Sequence, residues 1–260
     1  MYLKLFLLSI LFIIVFSQTH REGRIIRGTS VGLGQIPYQV SLRNWGSDFH
    51  FCGGALISNR WVVTAAVCVY GRERNSLDIM AGIASLRARG QSYRSFNIVI
   101  HPGFNFNNFP SSTVNHNIGL VQSLLPFHFT RFVSPIRLSS IIQRNPDFAV
   151  ISGFGATTIN GGPNSDSLQK LDVVTNPDGP CDTAGISIDM RFNICTYNRQ
   201  ITDNNVNVGF CTTDVGGPLV IGSELIGIAS FNNPCAVLDQ YDVYVRISEY
   251  RAWIGSITGV

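Results

Sequence analysis

Ten short apolar or alternating segments recur along this chain, each bounded by turn residues. They are Tyr38–Leu42, Trp61–Ala65, Leu77–Ala81, Asn97–Ile100, Ile118–Gln122, Ala149–Ser152, Leu168–Val174, Leu219–Ile221, Leu225–Ser230 and Tyr241–Ile247. Val, Ile, Phe and Tyr dominate them. Gly, Pro and Asn separate them, as in Gly161-Gly162-Pro163 and Asn232-Asn233-Pro234. Regular short strands between polar turns predict an all-β sandwich or barrel. One helix is predicted, at the C-terminus, with Ser248 as N-cap and Tyr250, Trp253, Ile254 and Ile257 at helical spacing. No internal repeat or low-complexity linker breaks the pattern.

Hydrophobic residues make up 45% and charged residues 13% of the 260 positions, which excludes a disordered, highly charged chain. Lys+Arg 19 against Asp+Glu 16 leaves +3, too balanced to argue for nucleic-acid binding. Lys4 precedes Leu5 to Phe16, a run with one Ser and no charge. This pattern predicts a secretory signal peptide over residues 1–17, and the run falls short of the roughly 20 residues a membrane span needs. A secreted chain keeps disulfides. All six Cys lie beyond residue 50, so three bridges fit, in fifteen arrangements that spacing alone does not resolve. No N-glycosylation acceptor occurs in the mature chain.

Four motifs occur in order: Arg24-Ile25-Ile26-Arg27-Gly28, Phe51-Cys52-Gly53-Gly54-Ala55-Leu56-Ile57, Trp61-Val62-Val63-Thr64-Ala65-Ala66-Val67-Cys68 and Asp214-Val215-Gly216-Gly217-Pro218-Leu219. Together they resemble the chymotrypsin-like (trypsin-like) serine proteases, from Ile25 to the C-terminus. The resemblance implies two antiparallel Greek-key β-barrels, roughly 25–130 and 131–246, a C-terminal helix over 247–258, and a substrate cleft between the barrels. It implies a pro-segment over 18–24 and the disulfides Cys52–Cys68, Cys181–Cys195 and Cys211–Cys235.

The family's chemistry needs a Ser nucleophile, a His base and an Asp that orients the His. By resemblance those positions are Val215, Val67 and Asn117. Val215 has no hydroxyl, Val67 no titratable nitrogen, and Asn117 no charge. Three such groups act as a unit, so the expectation is a chain that is not an enzyme, a residual serine-type endopeptidase being the least favoured alternative. Thr213 stands where the oxyanion-hole Gly is usual, and a β-branched residue is strained there if that Gly used φ > 0. His116 neighbours Asn117, but adjacent strand residues face opposite sides. His20, His50, His101 and His128 lack metal-ligand spacing and read as surface or turn residues. No metal or cofactor is expected.

The resemblance places the specificity pocket at Gly209, Ser230, Phe231, Asn232 and Asp242. Asn232 and Asp242 replace glycines and are expected to narrow it. Arg24 before Ile25 matches an activation cleavage site, after which the freed amine pairs with Asp214 in the family. Two surface groups are candidate binding sites. One is the arginine group Arg72, Arg74, Arg87, Arg89 and Arg94, suited to a sulfated glycan or an acidic protein face. The other is the aromatic loop Phe104, Phe106 and Phe109, whose rings either anchor a partner or tuck under the loop. The expected protein is a secreted, extracellular monomer that binds a protein partner in complement or another protease cascade, without nucleic acid or membrane. Inactivated paralogues of parasitic mites and arthropod immune homologues, acting as cascade cofactors, are the two groups it resembles in this respect.

Overall fold

Twelve strands build two closed barrels in the computed structural model, which describes residues 28–156, 163–179, 181–183, 185–197, 209–232 and 241–260. The expected signal peptide and pro-segment, with Arg24 and Ile25, lie outside the described residues, as does Cys235. The first barrel contains β1 (Gln39–Asn44), β2 (His50–Leu56), β3 (Trp61–Thr64), β4 (Leu77–Ala81), β5 (Gln91–Ile100) and β6 (Gly119–Ser123). They pair in the order β1-β2-β3-β6-β5-β4, and β4 closes back on β1. The second contains β7 (Phe148–Gly153), β8 (Gln169–Asn176), β9 (Asn193–Tyr197), β10 (Pro218–Ile221), β11 (Glu224–Phe231) and β12 (Tyr241–Arg246). Its order, β7-β8-β9-β12-β11-β10 with β7 paired to both β8 and β10, repeats that of the first. All twelve pairings around the rings are antiparallel. The expected all-β, two-barrel, chymotrypsin-like fold is therefore the one observed.

Period-two burial explains the strands. In β4, Leu77, Ile79 and Ala81 are buried while Asp78 and Met80 are half-exposed. In β8, Gln169, Leu171, Val173 and Thr175 point inward. Each of the ten apolar segments overlaps a strand, but they omit β2 and β9. Gly53-Gly54 lowers the strand propensity of β2, yet a side chain there has no room. A Cβ on Gly54 would lie 2.7 Å from a Val62 methyl, and one on Gly53 would lie 2.9 Å from the backbone of Gly217 in the other barrel. Those glycines let the barrels approach.

Among the described residues, two α-helices complete the fold, α1 (Ala66–Val69) and α2 (Ile247–Thr258). Ile247, Tyr250 and Ile254 bury the apolar face of α2, and Gly259 at φ 77° ends it. The N-cap is Arg246 rather than Ser248, which lies inside the first turn with its hydroxyl buried and unbonded. Disulfides join Cys52 to Cys68 and Cys181 to Cys195, and Cys211 is also disulfide-bonded.

Candidate functional site

The barrels meet along a line of cross-barrel hydrogen bonds. Ser152 Oγ donates to Gln39 Oε1 at 2.8 Å, and Gly53 N–H to the Val215 carbonyl at 2.9 Å. Asn117 joins the two sides at the centre. Its Oδ1 accepts the backbone N–H of Val67 at 2.8 Å, and its Nδ2 donates to Ser230 Oγ at 3.0 Å. The carboxamide thus accepts at one end and donates at the other, whereas a carboxylate there would only accept, with the Ser230 hydroxyl turned to donate. Val67 on α1 and Val215 after the turn at Thr212–Asp214 are half-buried and pack against the same apolar cluster. The structure brings 67, 117 and 215 together around the cleft, with two apolar side chains and one amide.

His116 parts from Asn117 for a reason other than strand alternation. It precedes β6 at φ 59°, a left-handed turn. Its Nδ1 meets Tyr250 Oη at 3.0 Å, and its ring stacks on His101 at 4.9 Å, while Asn117 is fully buried.

Thr213 is not strained. The left-handed non-glycine among the described residues is His116, and Thr213 lies in a short 3-10 turn. Its Oγ1 donates to Asn164 Oδ1 at 2.8 Å, and its carbonyl accepts from His50 Nε2 at 3.1 Å. His50 is therefore no surface residue. It is 2% exposed, Ser41 Oγ bonds its Nδ1 at 2.8 Å, and burial pushes its pKa down to about 4. No motif marked His50 or Ser41; their link depends on the pairing of β1 with β2.

Asp214 is fully enclosed. It accepts N–H bonds from Gly155 at 2.6 Å and Cys211 at 2.9 Å, yet burial raises its pKa to about 6. A Cβ at Gly153 or Gly155 would fall 1.9 Å from its carboxylate oxygens, so both must be glycine.

The pocket positions converge. Asn232 Nδ2 donates a short hydrogen bond to the Phe210 carbonyl, reaching from one wall to the other. Asp242 is fully buried and accepts the Phe210 N–H at 3.0 Å. Both side chains are thus tied to the segment that follows Gly209.

Three of the five surface arginines are engaged within the fold. Arg72 bonds the Cys68 carbonyl and Asn44, and lies over the Phe51 ring. Arg94 lies over Trp45, and Arg87 pairs with Asp166 at 2.6 Å. Arg74 and Arg89 are exposed. The three phenylalanines divide. Phe109 packs inward near Phe231, with ring centres 6.1 Å apart, and Phe104 follows it. Phe106 stays outside, stacked on exposed Tyr70 at 4.6 Å.

Two six-stranded antiparallel barrels with a polar seam between them define the architecture of a serine protease domain. The family model described as Trypsin matches residues 25–254, and this chain belongs to that family. It is 32% identical to Serine protease 1 of Rattus norvegicus over 90% of this chain and 89% of the rat protein. It is 31% identical to Trypsin of Phaedon cochleariae, covering 94% and 92% of the two chains. Chymotrypsin-2 of Vespa crabro is 32% identical, over 88% and 98%.

These relatives correct one expectation. A family whose members are named for trypsin and chymotrypsin does not support classing this chain as a non-enzyme, and that classification is withdrawn. At positions 215 and 67 the chain carries valines, with neither a hydroxyl nor a titratable nitrogen.

Proposed function

We propose that this chain is a secreted serine protease family protein that binds a protein partner and so modulates a proteolytic cascade. The observation that carries this reading is the bond from Asn232 to the Phe210 carbonyl, with Asp242 beneath it. Both side chains stand at positions that the resemblance gives to the walls of the specificity pocket, and their bonds to Phe210 support a pocket narrowed against a substrate side chain, within barrels braced by disulfides. The apolar run after Lys4 supports secretion, and the disulfides suit an oxidising compartment. Cleavage after Arg24 frees the Ile25 amine to neutralise Asp214, whose enclosed carboxylate has no cation partner among the described residues.

Mammalian complement is the cascade to test first. Protein beginning at Ile25 is added to serum, and complement-mediated red-cell lysis is measured beside an equal dose of heat-denatured protein. Dose-dependent inhibition by the folded form alone supports the reading. Equal lysis with both rejects complement and sends the search to an arthropod immune cascade.

A further inference from the structure

Close to residue 213, between the first barrel and the segment carrying Asn164, lies a groove of about 770 Å³. Its walls are the β1–β2 turn, the segment from Leu86 to Arg89, and Pro163 to Asp166. Arg43 forms part of its floor. That side chain is 2% exposed, and its burial disfavours the charge. Nε donates to Ser41 Oγ at 3.2 Å, Nη2 to the Leu86 carbonyl at 3.0 Å, and Nη1 to Asp48 at 3.4 Å. A guanidinium has five N–H bonds, so two have no partner among the described residues. Its ion-pair contact with Asp48 is long, the Asp48 side chain is fully exposed at 103%, and Asp78 adds a weaker, more distant attraction. Arg89, also in the lining, forms no ion pair among the described residues, whereas Arg87 and Asp166 neutralise each other. Phe49, which is 62% exposed, contributes an apolar wall with Met80 and Leu86.

We propose that this groove docks an acidic segment of a protein partner. One carboxylate binds the free edge of the Arg43 guanidinium, displacing the loosely held Asp48. A second pairs with Arg89, and an apolar side chain between them rests on Phe49. A buried guanidinium gains more from a carboxylate than an exposed one, because little water competes. A sulfated glycan fits less well: it needs a row of exposed cations, and here one arginine is buried, one is already paired, and the wall between them is apolar. The inference deepens the protein-binding reading and rests on it. The groove also touches the cleft. Arg43 Nε–H bonds Ser41 Oγ, which bonds His50 Nδ1, and His50 Nε2–H bonds the Thr213 carbonyl.

The test uses the secreted protein and a fluorescein-labelled peptide, Glu-Glu-Phe-Glu-Glu, read by fluorescence anisotropy. Binding is expected, weakening at least about tenfold from roughly 50 to 300 mM NaCl. Arg89→Glu and Phe49→Ser, both at exposed positions, are each expected to weaken it about tenfold. Arg144→Glu changes an exposed charge beside Arg246 on the second barrel and should leave binding unchanged. Equal loss with Arg144→Glu would make the effect one of overall charge and overturn the proposal. So would absence of peptide binding, or a heparin fragment that binds with the same dependence on Arg89 in its place. In the lysis assay, inhibition retained by Arg89→Glu with Phe49→Ser would reject the groove and keep the cascade role. Peptide binding by a protein that leaves lysis untouched would reject complement and keep the groove.

Discussion

Asn117 Oδ1 accepts the backbone N–H of Val67, while Asn117 Nδ2 donates to Ser230 Oγ across the barrel seam. The two substitutions are mutually consistent. With Val at position 67 there is no imidazolium to balance a carboxylate at 117, and a neutral amide avoids an uncompensated buried charge. Asn117→Asp alone is therefore expected to lower the unfolding free energy by about 1–3 kcal/mol. Burial would raise the new carboxyl's pKa in the folded state. The loss should therefore be full near neutral pH and vanish below about pH 4, where both states are protonated. Urea unfolding across that range checks it, and adding Val67→His should return part of the stability.

Restoring Val67→His, Asn117→Asp and Val215→Ser together should add little turnover of an Arg or Lys p-nitroanilide over the parent chain. In the proposed reading a substrate side chain would still meet Asn232 and Asp242, which stay bonded to Phe210. Adding Asn232→Gly and Asp242→Gly should raise the rate at least about tenfold over the triple variant, because pocket contacts contribute to transition-state binding. Brisk turnover in the triple variant alone would show that the narrowed pocket opens readily.

His50 and Asp214 impose opposite pH dependences. His50 titrates near 4 when folded, below its ordinary 6.5, so the unfolded chain binds the extra proton and stability falls as pH drops from 6.5 to 4. Asp214 titrates near 6, above its ordinary 3.8, so the folded chain binds the extra proton and stability falls as pH rises from 3.8 to 6. Each is worth at most roughly 3 kcal/mol, and they largely cancel. His50→Gln should unmask the Asp214 slope, so that the variant is more stable at pH 4 than at pH 6. Thermal melts at the two pH values read the sign.

Cleavage after Arg24 should shift the same balance. If the Ile25 amine reaches Asp214, the processed protein gains most where the carboxylate is ionised. Its melting temperature should exceed that of an uncleavable Arg24→Gln precursor at about pH 7.5, with a smaller gap at about pH 4.5. Equal gaps at both values would remove the amine from this role.

Strand periodicity made the barrels legible, because burying one face of a strand imposes period two on its side chains. The strands it missed are those whose composition serves something other than packing: β2 spends two positions on glycine so that the barrels can touch, and β9 carries a disulfide cysteine. The residues at 67, 117 and 215 were legible from flanking motifs alone. The condition of Thr213 was not, since strain depends on a backbone angle that residue type does not set.

Residue order thus determined the strand pattern, the cysteines and the side chains at 67, 117 and 215. Tertiary structure alone decided that Asn232 reaches the Phe210 carbonyl, that His50 is buried between Ser41 and Thr213, and that Arg43 floors a groove with Arg89 and Phe49. The physical reason is range. Periodicity records which face of one strand is buried, whereas these contacts join segments up to 163 positions apart, and barrel register sets their distances.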